Sequence, residues 1–260
     1  MAGSGEAGAG VLCVGVAVQD FVFGLDAMPD RPQKYRARDF AAVGGGCASN
    51  SAAAVARLGG RALLAGRLGD DEIGSKILAG LAADGVDCSL LKRFAGKRSS
   101  LSAVLVDATG ERMIVNYRDT GLPQASEGVL PESLPAGIGA VLADTRWAGG
   151  AAAAMRLAGA AGVPGVLDAE PPIAEVADAL PLASHVVFSA QGLADLTGLA
   201  DPADGLLAAR SLVSGFLAVT DGAAGTILFH GDRLARVPTL PITAVDTLGA
   251  GDVWHGAFAL

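Results

Sequence analysis

At 260 residues the chain can bury one large core, or a core with a small appendage. Hydrophobic residues make up 51% and aromatics only 5%, with 37 glycines, a balance that suits an α/β enzyme rather than a β-sandwich or a coiled coil. A formal net charge of -8 excludes a broad surface for nucleic acid or anionic membrane, so any anionic ligand must be met by a few local positive groups.

Cys13, Cys47 and Cys88 are odd in number and widely spaced, which leaves neither a disulfide framework nor a zinc site and suits a reducing, cytoplasmic setting. Met1 to Gly10 has no basic or apolar region and reads as a tail, not a signal peptide. No run of about eighteen apolar residues is present to cross a bilayer.

In chain order, Gly10 to Val18 is a continuous apolar run of the kind that makes a strand buried on both faces. Alternating pieces follow around Phe21 to Leu25 and Tyr35 to Val43, separated by the proline-bearing Met28 to Gln33. Asn50 to Leu58 is an alanine-rich helix that stops at Gly59-Gly60. Arg61 to Gly66 reads as strand and Asp71 to Ala83 as helix. Ser99 to Asp107 and Arg112 to Tyr117 flank a polar turn, which is a hairpin signal. Then strands at Ala140 to Asp144, Gly165 to Asp168, His185 to Phe188 and Gly215 to Thr220 alternate with helices at Ala151 to Ala161, Ala174 to Leu180 and within Gly192 to Val213. A hairpin over Gly225 to Val237 and a helix from Val253 to Leu260 complete the chain.

Strands separated by helices imply right-handed crossovers and a mostly parallel sheet covered on both faces. The β-rich insertions at about 20–43 and 98–118 do not fit that sheet and are expected to form a second, smaller one, a lid over the site. One domain spanning 11–260 with this lid is the economical organisation.

The sharpest motif is Asp246-Thr247-Leu248-Gly249-Ala250-Gly251-Asp252, running into the last helix. A turn of small residues opening onto a helix offers unhindered amides and a positive dipole end to an oxyanion. That geometry reads as phosphoryl transfer to a hydroxyl, with Asp252 as general base and the Gly249, Ala250 and Gly251 amides as anion hole. The alternative is a glycine-rich turn capped by an aspartate.

Together with Gly44-Gly45-Gly46-Cys47-Ala48-Ser49-Asn50 and the helix after it, that motif makes the chain resemble the ribokinase-like, or pfkB-type, carbohydrate kinases from about Val11 to Leu260. The resemblance implies a three-layer α/β/α sandwich with a β-sheet lid, and transfer from ATP with Mg²⁺ helping to stabilise the moving charge. It implies Asp20 as a sugar-hydroxyl ligand, Gly45 and Gly46 as the backbone that approaches the sugar, and Asn50 as its donor and acceptor. Asn50 also suits a helix N-cap. On the nucleotide side it implies Thr220, Gly222 and Gly225, with Gly251, lining ATP. Asp246 and Thr247 fall where many members hold a monovalent cation such as K⁺.

Ser189-Ala190-Gln191-Gly192 stands where the family often has Asn-x-x-Glu, so Mg²⁺ is expected to be held mainly by ATP and water. Members also usually continue for further helices after this motif, so either the sequence extends past Leu260 or the adenine side is incomplete. Within the family, the segments 110–117, 142–147 and 34–38 look like 6-deoxy-6-sulfofructose kinases, with ketohexokinases next. That likeness implies a sulfonate pocket of Lys34, Asn116 and Arg146 and transfer to C1 of the ketose. Fructose, fructose 6-phosphate or ribose is the alternative acceptor; a non-catalytic sugar or nucleotide binder and a nucleoside kinase are the alternative classes. Open lid edges suggest pairing of two copies as a homodimer.

Overall fold

The computed structural model describes residues 10–243 and 247–260. Thirteen strands and six α-helices are assigned there. The large sheet holds β1 (Gly10–Gly15), β4 (Arg61–Gly69), β5 (Asp87–Phe94), β8 (Ile138–Asp144), β9 (Gly165–Ala169), β10 (His185–Ser189), β11 (Phe216–Thr220), β12 (Thr226–His230) and β13 (Arg233–Val237). Their order is β13-β12-β11-β10-β9-β8-β1-β4-β5. Every neighbouring pair from β5 to β11 is parallel, and only the β11–β12 and β12–β13 pairs are antiparallel.

Both faces of this sheet are covered, and β1 shows why its sequence has no polar alternation. Leu12 and Val14 enter the core beneath α3 (Ala148–Ala161), α4 (Ala190–Thr197) and α5 (Pro202–Ala209). Val11 and Cys13 point the other way, into the core beneath α1 (Cys47–Arg57), α2 (Glu72–Ala83) and α6 (Ala250–Ala259). Successive side chains face opposite sides of a strand, so a strand covered twice must be apolar at every position. Among the described residues no helix is long and apolar enough to cross a membrane.

The second sheet has the order β3-β2-β6-β7, from β2 (Val18–Gly24), β3 (Asp39–Gly45), β6 (Ser100–Val106) and β7 (Arg112–Tyr117). The expected single strand from Gly10 to Val18 is therefore two strands in two sheets. The break comes where the Val16 amide leaves the ladder and donates to Asp144 Oδ2 at 2.9 Å, a distant partner that the apolar run does not announce. β3 begins at Asp39 rather than near Tyr35, whose hydroxyl is engaged with Asp30 and Arg31. β5 carries no clear strand signal in its sequence: it is an edge strand with Asp87, Lys92 and Arg93 exposed, so its pattern is diluted. The last helix begins at Ala250, three residues before the expected Val253.

Candidate active site

The site lies at the carboxyl ends of β1, β8 and β9, where α1 and α6 begin. In open α/β sheets this is where ligands bind. Asp144, the last residue of β8, is buried and ties the region together: its carboxylate accepts from the amides of Val16 at 2.9 Å, Ala48 at 3.0 Å and Arg146 at 2.8 Å. Burial raises its pKa although these three bonds oppose the shift.

Two glycine turns bring α1 and α6 to this point. Gly46 caps α1 at φ 98°, and a Cβ there would lie 2.6 Å from the Val16 carbonyl, so the turn needs glycine. The helix thus starts at Cys47, and Asn50 is inside its first turn rather than at the N-cap. Gly249 caps α6 at φ 72°, and no side chain caps that helix. Asp252 is not spent as a cap. Its Oδ2 accepts from Asn50 Nδ2 at 2.7 Å, and its backbone carbonyl accepts from Ser51 Oγ at 2.9 Å. Burial pushes Asp252 up to about 7, with the Asn50 bond opposing and the Asp168 carboxylate adding to the rise.

Asp20 sits in β2 above Gly45, where a Cβ would lie 2.0 Å from its Oδ2. In register across the small sheet come Asp20, Ser102 and Asn116, and Asn116 Nδ2 donates to Ser102 Oγ at 3.0 Å. Burial raises the Asp20 pKa and the Ser102 hydrogen bond opposes that rise. Asp20, Gly45, Gly46, Asn50, Gly249, Ala250, Gly251 and Asp252 therefore form one connected neighbourhood.

Other predicted residues lie further off. Thr220 ends β11, three strands away from β8, and Gly222 and Gly225 bracket a short 3₁₀ turn beyond it. That turn is held by Arg236, which donates to the Ala224 carbonyl at 2.8 Å and pairs with Asp221 at 3.1 Å. Thr247 Oγ1 accepts from Arg112 of β7, linking the small sheet to the α6 turn. Asp246 lies outside the described residues. Ser189 caps α4, its hydroxyl accepting from the Gly192 amide at 2.9 Å.

Of the three anion-pocket residues, Arg146 lines a cleft of about 570 Å³ that begins at Gly15 and Val16. Asn116 is committed to Ser102, and Lys34 stands exposed in the β2–β3 loop, outside that cleft's lining. The cleft instead brings in Arg67 and Arg118. Arg67 stacks on Trp147, 4.5 Å from the ring centroid, and its Nε has no hydrogen-bond partner among the described residues. Burial lowers its pKa to about 10, Asp144 opposes that and the Arg118 charge adds to it.

Sequence reasoning missed Asp144, Asp168, Arg67 and Arg118 as site residues. Asp144 and Asp168 stood at the ends of two predicted parallel strands, a signal that was available. The arginines carried none, because only the tertiary fold brings positions 67, 118 and 146 to one cleft. Cys47, Asp168 and Asp252 place one ligand atom each within 4.8 Å of one another. A thiol pushed well up by burial, then by Asp252 and Asp144, does not suit Mg²⁺, which takes oxygen ligands.

A family model described as pfkB family carbohydrate kinase matches residues 9–260. The chain belongs to the pfkB family. It is 32% identical over 232 residues to a fructokinase of Klebsiella pneumoniae, covering 81% of this chain and 74% of that one. A crystal structure from Agrobacterium tumefaciens, of a protein provisionally described as a ribokinase, is 38% identical and superposes with a TM-score of 0.89. The match covers 97% of this chain and 83% of that chain. A ribokinase of Arabidopsis thaliana complexed with ribose and ATP superposes at 0.78 with 22% identity, over 97% of this chain and 85% of its own, a likeness of fold alone. This pfkB-family chain is a sugar kinase, a phosphotransferase with an alcohol group as acceptor, on the ribokinase-like fold.

Proposed function

We propose that this sugar kinase transfers the γ-phosphate of ATP to the C1 hydroxyl of a ketose with an anionic far end, 6-deoxy-6-sulfofructose. The observation that carries the anionic end is the cleft lined by Arg67, Arg118 and Arg146, opening where β1 ends. Planar guanidinium groups bind sulfonate and phosphate oxygens through paired N–H bonds. In a chain of net charge -8, a cleft whose three arginines outnumber its two acids, Asp119 and Glu175, is a local exception.

Asp252 is the base in this reading. Its carboxylate, oriented by Asn50 and raised to about 7, takes the proton of the acceptor hydroxyl as the oxygen attacks phosphorus. The amides of Gly249, Ala250 and Gly251 receive the oxyanion, because no side chain competes for them as a cap. Asp20 holds sugar hydroxyls from the small sheet, which closes over them as a lid and excludes water. Thr220, Gly222 and Gly225 line the nucleotide. Mg²⁺ would be held mainly by the phosphates of ATP and by water.

The test is ADP release with 6-deoxy-6-sulfofructose, fructose 6-phosphate and fructose side by side. Preference for the sulfonate is expected, and Arg67→Met or Arg146→Met should raise KM for it while leaving fructose little changed. Preference for fructose, the acceptor named by the Klebsiella relative, discards the anionic reading. Asp252→Asn should lower kcat by at least ~100-fold with little change in sugar affinity. Sugar and ATP binding without turnover in the unaltered chain would instead indicate a binding protein on a kinase fold.

A further inference from the structure

Beneath Asp252 lies a buried titratable pair that the proposed transfer does not use. His255, one turn along α6 from Asp252, is 1% exposed, and Asp168, in β9, is 3% exposed. His255 Nδ1 is 2.7 Å from the carbonyl oxygen of Gly251. A carbonyl only accepts, so Nδ1 carries a proton and donates it there. The other nitrogen, Nε2, faces Asp168 Oδ1 and the Val187 carbonyl, each at 3.4 Å. Asp168 Oδ1 has no other partner among the described residues.

With Nδ1 protonated, a neutral ring would turn its Nε2 lone pair towards an ionised carboxylate, which a dry site does not tolerate. One proton between the two atoms removes the conflict. It can sit on the ring as an imidazolium or on Asp168 as a carboxylic acid. The carboxylates facing the pair hold the proton there without choosing its place, since Asp252 and Glu170 raise His255 as well; burial, which disfavours an ion pair, decides for the acid. Asp144 from β8, Glu170 after β9 and the Asp252 carboxylate raise the cost of a second anion, and Arg146 alone opposes them. Burial acts in the same direction on both partners, raising Asp168 and lowering His255.

We propose that His255 is a positioning residue for the base: Asp168 keeps one proton and donates it to Nε2, so the pair is neutral, Nδ1–H holds the Gly251 carbonyl, and Asp252 ionises without a charge on Asp168 beside it. The proposal rests on Asp252 as the base, but its first test does not depend on activity.

That test is ¹⁵N NMR of the full chain labelled at histidine. The chain has 3 histidines, so His185→Gln and His230→Gln assign the remaining signal. His255 is expected to stay neutral, in the Nδ1–H tautomer, from about pH 5 to about pH 8, where an ordinary histidine titrates. The infrared spectrum should show a carboxylic acid band at neutral pH that Asp168→Asn removes. A doubly protonated His255 at neutral pH, or an Nε2–H tautomer, overturns the proposal. In the assay, His255→Phe should lower kcat at least ~10-fold through a displaced Gly251 turn, without moving the acid limb of kcat/KM. An upward move of that limb shows that an imidazolium was lost, and unchanged kcat shows no positioning role; either overturns it. An active Asp252→Asn chain sinks the base assignment and leaves the NMR result to be judged by itself.

Discussion

Asp252, the proposed base, shows how burial, with nearby carboxylates adding to it, shifts a common side chain. In water a carboxylate of pKa 3.8 is a weak base; packed between α1 and α6 it rises to about 7. A base works only when ionised, so if Asp252 has the proposed role kcat/KM should climb as pH rises through about 7 and level off above it, which a pH–rate profile checks. The same shift affects stability with a definite sign. Between 3.8 and about 7 the folded state keeps a proton that the unfolded chain has released. Asp252 therefore contributes stability that is fully present below 3.8 and is lost as pH rises through about 7. Asp252→Asn should accordingly melt higher than the unaltered chain in alkaline buffer and about equally in acid. Thermal unfolding at both ends of the range would refute this if the variant melted lower in alkali. Asp252 was legible in the sequence because glycines and an acid stand together there. Asp144 and Asp168 were not picked out, because one strand-ending aspartate reads like any other until three amides, or a buried histidine, are seen to meet it.

At the scale of elements, the site depends on how closely α1 and α6 approach. A Cβ at Gly256 would lie 2.5 Å from the Ser51 carbonyl and 3.1 Å from the Ala54 Cβ, so backbone meets backbone with no room for a side chain. Gly256→Val should cost ~1–3 kcal/mol of stability, the usual penalty of overpacking, and more if the helices cannot part. By parting them it should also lengthen the Asn50–Asp252 bond and lower kcat. Urea unfolding together with an activity measurement would show both losses; a fully active, equally stable variant would contradict the packing argument. The periodicity of α1 was readable in its alanine-rich run, but its start at Cys47 was not. The turn at Gly46 is set by a carbonyl on a different segment, Val16. The division of the first apolar run between two sheets was hidden for a related reason: both pieces are equally apolar, and the side chain that separates them, Asp144, is 128 residues away.

Across the whole molecule, burial is uneven. Every residue of β1 and of β9 is buried, whereas six of the seven residues of β3 and five of the six of β7 are exposed. Hydrogen exchange should therefore be slowest in β1, β8, β9 and β10 and much faster in β3 and β7, which form the edges of the small sheet. Equal protection in both sheets, read by mass spectrometry, would mean that the small sheet is covered in solution, as pairing of two copies through its edges would do. By itself the sequence determined the α/β class, the alternation that builds a parallel sheet, and the glycine turn carrying Asp252. These are local patterns, written within one or two turns of chain. Only the tertiary structure decided that Asn50 orients Asp252, that Asp168 meets His255, and that Arg67 and Arg118 join Arg146. Those relations join residues far apart in sequence, and packing, not periodicity, chooses which distant groups share a dry pocket.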